Sequence, residues 1–565
     1  MSRVWRLRLY RLLVAVSLIF IPVGAQLVVA QTPPAQVNPG QVQHRIPTPV
    51  ETPRPPAPLA IPSTAPTAPQ GVVNFVLTGV EIEGATRFDA ASFAPLYERF
   101  LARKIGISEI EEILRRITAK YRESGYFLSH AIAEPQSLQN GILRITVIEG
   151  WIQRVSFPDT SESESDPLHY YLLAVVTQRP LQLDTLERAI LLINDLPGIS
   201  GVTPQLRPID EKAGSYELVL SLARSRLSGV VSLDSRGTRS LGPAEAQAVG
   251  AVNSVITSFD RLSVNFFTTP NQPRELLSEQ VSYDLPLGYD GTRVTLTAAR
   301  TDVHPQGNLA SLALSGNATL FSADVTHPVL RMRGQSVWVG GGFDVLQSLQ
   351  NQQGILQFDD RLRVLRLHGL YLGNDAWGGT NSAFLEASQG FNGLGASRAG
   401  GADLSRPNGR PDFTKVTGTV VRQQHLYQDW YLHVAASGQV TAEPLLVSEQ
   451  FALGGTQFGR AYDPGEIVGD DGVAGSAELR YDGTIQNSFI RSYEIYGFYD
   501  LGVVWNMNGS AAAARQSLAS TGVGVRLALQ HNLNFSLEIA DPLTRIVAAE
   551  GGKPLRVFAS ISTGF

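Results

Sequence analysis

The chain has 565 residues, a formal net charge of −5 and no cysteine. The small net charge argues against nucleic acid as the main partner, and the lack of cysteine excludes disulfide bonds and thiolate metal sites. A chain of this length is expected to contain several domains.

The N-terminus has the features of a secretory signal peptide. Four arginines within the first 11 residues precede an apolar run, Leu12–Ile21, and small-residue cleavage sites end at Ala25 and Ala30. The apolar run is shorter than the roughly 20 residues that span a bilayer, which disfavours an anchoring helix. The pattern predicts a signal peptide over residues 1–30. No apolar run of about 18 residues recurs later, so no helical span is expected.

Residues 31–70 are predicted to form an extended linker. About one residue in three is proline between Thr32 and Gln70, and this composition favours a polyproline-like tether without a core. The start of the segment, Gln41–Ile46, could carry a signal or a plug. A solvated spacer is the favoured interpretation.

Two segments with the same order of elements follow, over residues 72–150 and 151–224. The first is predicted to contain a strand, two helices and two strands, at Phe75–Glu83, Phe88–Leu101, Ser108–Ser124, Phe127–Glu134 and Ile142–Glu149. The second is predicted to repeat this order at Ile152–Phe157, Pro167–Thr177, Leu183–Leu196, Val202–Pro208 and Ser215–Leu222. Tandem copies of one unit indicate a repeat array. Neither copy carries a cluster of catalytic residue types.

The remaining residues, 227–565, alternate apolar and polar residues almost without interruption. In Tyr493–Trp505 one parity is apolar with aromatics at both ends, whereas the other contains Glu494 and Asp500. Two unlike faces with period two are typical of a transmembrane barrel strand, whose outer face meets lipid and whose inner face lines a wet lumen. At about 20 residues per strand and turn, the region predicts about 16 antiparallel strands. The predicted fold is an all-β transmembrane barrel preceded by two α+β domains, with a soluble β-sandwich as the alternative.

A glycine-rich loop, Phe451–Gly475, interrupts the strands of this region. Its glycines permit sharp turns and close backbone approach, and its candidate residues are Gly454, Gly455, Gly459, Arg460 and Tyr462.

One strand later, Phe498 and Asp500 project inward by the same parity. Because a guanidinium can engage a carboxylate through two hydrogen bonds, we predict that the loop folds into the lumen and that Arg460 pairs with Asp500. Such a pair would form a gate or a rigid plug.

Two tandem POTRA-like units, the barrel, the loop motif and the inward Phe-x-Asp together resemble the two-partner secretion transporters (TpsB). These are the ShlB/FhaC/HecB-type haemolysin secretion/activation proteins of the POTRA-barrel superfamily, and the resemblance covers residues 72–565. Gly459–Tyr462 stands where the family carries Val-Arg-Gly-Phe/Tyr; the arginine and the aromatic match, and the flanking valine and glycine do not. Phe498–Gly502 matches the Phe-x-Asp strand, and Asn194–Gly198 resembles the end of the long helix in the second POTRA unit. The family's barrel-plugging helix has no clear counterpart, because Gln41–Ile46 is too short and too proline-bound to fill a barrel.

The resemblance implies a transporter in the outer membrane of a Gram-negative bacterium, with its POTRA domains in the periplasm. It implies a partner exoprotein, TpsA-like, β-helical and haemolysin- or adhesin-like, that the POTRA domains recognise and the barrel secretes unfolded. An edge strand can add an extended chain by main-chain hydrogen bonds. The residues expected to bind the exoprotein are therefore those of one such strand, Phe127, Ser129, Ala131 and Ala133, with the counterpart strand of the second unit as the alternative.

Further expectations concern partners and energy. We expect outer-membrane lipid and lipopolysaccharide around a monomeric barrel, and no nucleic acid, cofactor or metal. The partner's own folding outside the cell is the expected driving force.

Three alternative functions fit the sequence less well. A passive porin requires no periplasmic repeats, and barrel-assembly factors usually carry more POTRA units. A membrane-embedded enzyme needs a nucleophile beside a base, but His368, His433 and His531 lie on separate predicted strands. The chain is therefore not predicted to be an enzyme, and no catalytic residue is assigned.

Overall fold

The computed structural model describes residues 34–46, 57, 74–137, 140–158, 162–485, 489–507 and 513–565. The predicted signal peptide and most of the linker lie outside these residues. Among the residues described, no helix is both long enough and apolar enough to cross a membrane.

The first described segment contains a short helix, α1 (Pro39–Arg45), after a 3₁₀ turn at Ala35–Val37. Asn38 caps α1 by accepting a hydrogen bond from the Gln41 N–H at 3.2 Å. Proline suits the first position of a helix, where no backbone donor is needed. Pro39, Gly40 and Val42 are buried, so a solvated spacer is the wrong description of this part of the linker.

The first repeat consists of short elements around one long helix. They are β1 (Phe75–Val76), β2 (Gly79–Glu83), α2 (Ala94–Tyr97), β3 (Lys104–Ile105), α3 (Ile107–Glu123), β4 (His130–Ile132) and β5 (Ile142–Ile148). The single helix predicted over Phe88–Leu101 is wrong: 3₁₀ turns flank the one turn of α2. Pro95 has no N–H to donate to the preceding turn, which disfavours one continuous α-helix through this segment. One face of α3 packs into the core of this unit through Ile110, Ile113, Leu114, Ile117 and Tyr121.

The second repeat has the same sheet topology as the first. Its elements are β6 (Trp151–Ser156), α4 (Glu162–Tyr171), α5 (Leu173–Thr177), α6 (Leu183–Asn194), β7 (Ile199–Asp210) and β8 (Ser215–Arg224). Each unit contains a three-stranded sheet, with the strand orders β2-β5-β4 and β6-β8-β7. The central strand of each sheet, β5 or β8, is the last of the three in the sequence. It pairs in parallel with the first of the three and antiparallel with the second.

The described residues of the C-terminal region form eighteen further strands, and sixteen of them close into one barrel. In chain order they are β9 (Leu227–Asp234), β10 (Glu245–Asn253), β11 (Arg261–Thr268), β12 (Leu276–Pro286), β13 (Arg293–Val303), β14 (Leu314–Arg331), β15 (Gln335–Gln352), β16 (Ile355–Asn374), β17 (Gly379–Gly390), β18 (Thr414–Tyr427), β19 (Trp430–Thr441), β20 (Phe451–Leu453), β21 (Ile467–Gly469), β22 (Asp471–Thr484), β23 (Ile490–Trp505), β24 (Arg515–Leu529), β25 (Leu533–Pro542) and β26 (Arg556–Gly564). β20 and β21 pair with each other in a separate two-stranded sheet. All neighbouring strands in the barrel are antiparallel, including β26 with β9. The prediction of a barrel of about 16 strands is confirmed.

Each barrel strand separates its side chains into two faces. On β23, Ile495 and Tyr499 are exposed on the outside, whereas Tyr496, Phe498 and Asp500 are buried on the inside. The alternation follows the pleat of the strand. The polar parity therefore lines the lumen.

The second repeat is attached to one end of the barrel, called here the proximal end; the opposite end is the distal end. Just after α6, the Asp195 carboxylate accepts two hydrogen bonds from Arg331, at 2.6 and 2.7 Å. Its carbonyl accepts a third from Arg293 at 3.0 Å. Tyr170 of α4 stacks on Tyr289 of a barrel turn, with ring centroids 4.6 Å apart. These contacts join α4 and the end of α6 to β13, β14 and the turn between β12 and β13.

The lipid-facing parity yields a first prediction. Val281 lies midway along β12 and is 45% exposed on the outer face. We expect Val281→Arg to destabilise the barrel by about 2–4 kcal/mol, because a cation near the bilayer midplane loses its water. Urea unfolding of the protein folded into phosphatidylcholine vesicles measures this change.

The matched control is the adjacent inward residue, Gln280, which donates a hydrogen bond to Ser282. We expect Gln280→Arg to change stability by about 0.5 kcal/mol or less, because a lumen is wet. An equal loss in the two variants would contradict the assignment of the two faces.

Candidate functional site in the barrel lumen

The loop between β19 and β22 returns into the distal half of the lumen. It covers residues 442–470. The predicted loop, Phe451–Gly475, extends five residues too far, because Asp471–Gly475 belong to β22. Two glycines shape its tip. Gly454 has φ +107° and Gly459 has φ +81°, a region that side chains rarely tolerate. A Cβ at Gly454 would also collide with the Asp463 carbonyl. Gly455 donates its N–H to the Tyr462 carbonyl at 3.1 Å.

Arg460, at the tip of this loop, contacts Asp500 on the barrel wall. Its Nε and Nη2 donate to the two carboxylate oxygens of Asp500 at 2.9 and 2.7 Å. The backbone N–H groups of Gly459 and Arg460 donate to the same carboxylate at 3.2 and 3.0 Å. Arg460 is 3% exposed and Asp500 is fully buried. The structure thus brings together the two residues that the sequence analysis paired.

The Arg460 guanidinium has more partners than sequence analysis identified. It forms an ion pair with Glu478 and donates a 3.1 Å hydrogen bond to the Ser476 hydroxyl, both on β22. Glu538 on β25 lies 3.8 Å away. Glu478 lies between outward residues on β22, so the period-two pattern could have identified it as an inward partner of Arg460. Glu538 is distant in sequence, and it comes near because the loop returns into the lumen beside β25, two strands from β23.

These surroundings keep Arg460 charged. Burial by itself would lower the pKa of its guanidinium. The hydrogen bond to Asp500 and the charges of Asp500, Glu478 and Glu538 raise that pKa instead. Charge-assisted hydrogen bonds of this kind are stronger than neutral ones. The site is therefore a buried cation held by several carboxylates, and we call it the Arg460 lock.

Two aromatic residues of the predicted site complete the Arg460 lock. Phe498 lies under the guanidinium, with its ring centroid 3.6 Å from the Arg460 Cζ. Tyr462 is 1% exposed, and its hydroxyl donates to the Ala519 carbonyl at 3.1 Å. The same hydroxyl accepts a hydrogen bond from the Arg545 N–H at 3.2 Å. Tyr462 therefore ties the loop to the distal end of the wall.

A second buried ion cluster anchors the start of the same loop. Glu449 accepts a hydrogen bond from Arg366 of β16 at 2.9 Å and forms an ion pair with Lys415 of β18 at 2.7 Å. Burial by itself would raise the pKa of Glu449, but Arg366, Lys415 and His44 lower it. Sequence analysis did not identify this cluster, because its members lie on different strands and on α1.

Helix α1 occupies the lumen beside the loop. Gly40 donates its N–H to the Ser348 hydroxyl at 3.1 Å, and Arg45 forms an ion pair with Glu245 at 2.8 Å. Gln41 donates to the Gln450 carbonyl of the loop at 3.1 Å. The expectation that Gln41–Ile46 could not form a plug is therefore wrong. The helix is short, but it fills only the space that the loop leaves.

The proposed edge residues of the first repeat do not present their side chains to solvent. Phe127, Ser129, Ala131 and Ala133 are all 6% exposed or less. Phe127 packs into the core of the second repeat, and Ser129 accepts a hydrogen bond from the Gly150 N–H at 3.2 Å. The prediction concerns main-chain pairing along this strand, so it stays a prediction. The strand itself, β4, is at the edge of its sheet.

The histidines considered for catalysis are not brought together. His368 of β16 lies 3.7 Å from Asp324, and His433 lies on β19. His531 lies in the turn between β24 and β25, not on a strand. In the part of the chain that the structure describes, no three His, Asp or Glu side chains are grouped so that they could hold a metal ion.

Comparison with known protein families gives two matches. Residues 217–527 match the model of the haemolysin secretion/activation proteins ShlB/FhaC/HecB, and residues 75–150 match the ShlB-type POTRA domain. The first match covers more than half of the chain. The resemblance stated from the sequence is confirmed.

Individual relatives agree with the family models. The heme/hemopexin transporter protein HuxB of Haemophilus influenzae strain 86-028NP is 22% identical over 487 residues, which are 83% of this chain and 84% of HuxB. The outer membrane transporter CdiB of Escherichia coli is 26% identical over 247 residues, or 41% of this chain and 40% of CdiB. The solved structure of Escherichia coli CdiB superposes with a TM-score of 0.69 at 19% identity, covering 90% of this chain and 93% of that one. This last similarity shows a common fold.

The burial of the Arg460 lock yields a second prediction. We expect Asp500→Asn to reduce the free energy of unfolding by about 3–5 kcal/mol, because it leaves a buried guanidinium without its main counter-charge. Urea unfolding in lipid vesicles measures the loss.

The control is a solvent-exposed arginine–aspartate pair that is also joined by two hydrogen bonds. Asp412 accepts two hydrogen bonds from Arg410 in a distal loop, at 2.9 and 2.6 Å, and the Arg410 side chain is 46% exposed. We expect Asp412→Asn to cost about 1 kcal/mol or less. Similar losses in the two variants would contradict a special role of burial at Asp500.

Proposed function

This chain belongs to the haemolysin secretion/activation protein family ShlB/FhaC/HecB, and from that membership we propose that it exports a partner exoprotein, unfolded, through its own barrel. The family is one of outer-membrane transporters, not of enzymes, and its POTRA units lie in the periplasm. The proximal end of the barrel is therefore periplasmic, and the distal end faces outward.

One observation carries the proposal. The distal half of the lumen is filled by the loop 442–470 and by α1, which are held by side-chain contacts and are not strands of the barrel. A pore obstructed in this way can open without loss of the closed sheet. A barrel filled by its own wall residues could not.

We propose that the exoprotein is first recognised by main-chain pairing at an edge of the POTRA sheets. The edge strand β4 has three residues, whereas β7 has twelve. Pro204 and Pro208 lie in β7, as suits an edge strand. The linker residue Ala57 donates its N–H to the Val202 carbonyl of β7 at 3.2 Å, which is the type of contact that an incoming segment would make. We therefore favour β7.

Opening then requires release of the Arg460 lock. The lock holds the loop tip against β22, β23 and β25, and the Glu449 cluster holds the start of the loop. We propose that movement of α1 frees one side of the loop and that the Arg460 lock guides its return. The periplasm supplies no ATP, so the partner's folding outside the cell is the proposed driving force.

The surroundings of the barrel follow from its outer face. Large apolar side chains are exposed around it, including Val281, Leu296, Phe321, Leu367, Val420, Ile495 and Val523. We propose that membrane lipid, with lipopolysaccharide in the outer leaflet, covers this face. Because the closed sheet leaves no barrel edge unpaired, we propose that a monomer suffices.

Secretion tests the proposal. We expect Arg460→Ala and Asp500→Ala to reduce export of a long β-helical exoprotein, taken from the open reading frame next to that of this chain, by at least about tenfold. Exoprotein in the culture medium is measured by immunoblot, and barrel insertion by the heat-dependent shift in gel mobility. Arg410→Ala is the control and should export normally. Export at the parent level from both lock variants would contradict the gate.

A deletion tests recognition separately. We expect removal of residues 151–224 to abolish binding of the exoprotein's N-terminal region, because β7 is lost with the second repeat. Channel conductance in planar bilayers should remain, since no barrel strand is removed. Unaltered affinity would contradict a role of this unit in recognition.

A further inference from the structure

A cavity of about 660 Å³ lies in the proximal half of the lumen, below the Arg460 lock. Residues of β22 to β26 line it, together with Asp429 of the turn between β18 and β19. Its volume falls within the roughly 300–1,000 Å³ of typical ligand sites. A few residues of an extended chain would fit, and a folded domain would not.

One wall of this cavity carries only short, uncharged polar side chains, and we call it the serine wall. Ser536 of β25 stands opposite Ser560 of β26, with the hydroxyl oxygens 2.7 Å apart. Asn534 stands opposite Ser562, which in turn pairs with Ser232 of β9. The wall therefore continues across the strands where the barrel closes.

A second row of short polar side chains, Ser263, Ser282 and Thr297, crosses β11 to β13, but it lies outside this cavity and ends at paired charges. Arg293 of β13 forms an ion pair with Asp284 of β12 at 2.6 Å. On β24, Arg526 forms an ion pair with Glu494 of β23. An extended chain that moved along those strands would have to displace paired charges. Along the serine wall it would not.

The chemistry of the serine wall suits a polypeptide backbone. An extended segment presents N–H donors and C=O acceptors at regular intervals, whatever its sequence. A serine hydroxyl can donate and accept, and an asparagine amide does both with separate atoms. Short neutral side chains leave room for the segment and do not select for its charge.

We propose that the serine wall is a binding subsite for an extended segment of the exported polypeptide, held below the Arg460 lock before release. This inference rests on the proposed function. Glu538 is the next inward residue after Ser536 on β25, and it lies 3.8 Å from Arg460. A segment at the serine wall would therefore end beside the Arg460 lock.

Thiol capture tests the subsite, because the chain has no cysteine of its own. The probe is an uncharged synthetic peptide of Ser, Thr, Asn and Val, about 20 residues and about 65 Å when extended, with one thiopyridyl-activated cysteine. The full-length protein with Ser560→Cys is mixed with it in detergent, and release of pyridine-2-thione gives the rate of disulfide formation.

Ser282→Cys is the matched control. Ser282 also faces the lumen and lies four residues from the proximal end of its strand, as Ser560 does. Each rate is divided by the rate with 2,2′-dithiodipyridine, which corrects for thiol reactivity and access. We expect the corrected rate at Ser560→Cys to exceed that at Ser282→Cys by about tenfold, and an excess of cysteine-free peptide to suppress it.

Equal corrected rates, or a faster reaction at Ser282→Cys, would overturn the serine wall as the subsite. Failure of the peptide to react with either variant, while the small reagent reacts with both, would overturn it as well. The secretion assay on the unaltered chain is independent of these results. Capture at Ser560→Cys without any export would support the subsite and contradict the proposed function.

Discussion

Closure of the sheet between β26 and β9 is the constraint on which the rest of this structure depends. In hydrocarbon, an unpaired backbone N–H or C=O costs several kcal/mol, so a spanning sheet can leave no edge. Pairing of Ser560–Gly564 with Val230–Asp234 gives every barrel strand two neighbours. Closure also divides the side chains into an outer and an inner set. Charged residues such as Arg460 and Asp500 belong to the inner set, where other charges can pair with them.

The lumen is then organised by the cost of burying charge. A buried ion is tolerated where opposite charges and hydrogen bonds surround it, and the distal half of the lumen meets that condition at two places. Arg460 lies among carboxylates of the wall, and Glu449 lies between Arg366 and Lys415. Because each cluster joins the loop to the wall, the same interactions that satisfy the charges also hold the obstruction in place. Stability and closure of the pore are therefore properties of one set of contacts.

The two halves of the lumen differ, and the difference has a direction. The loop and α1 fill the distal half, whereas a cavity of about 660 Å³ remains in the proximal half. The second repeat is attached at the proximal end through the hydrogen bonds between Asp195 and Arg331. Recognition, entry and obstruction thus follow one another along the axis of the barrel. In this arrangement a segment can enter the lumen before the distal obstruction moves.

Period-two alternation was sufficient to predict the barrel and its two faces, because the pleat of a strand is a local property that the residues themselves express. The pairing of Arg460 with Asp500 was also predictable, through parity and family resemblance together. The remaining contacts of the site depend on distance in space: Glu538 reaches Arg460 because β25 lies two strands from β23 and the loop returns into the lumen. The buried helix α1 and the buried side chains of Phe127 and Ala131 were missed for the same reason, since burial there comes from neighbours far along the chain. Local pattern thus determined the strands and their faces, and tertiary packing decided what the lumen contains.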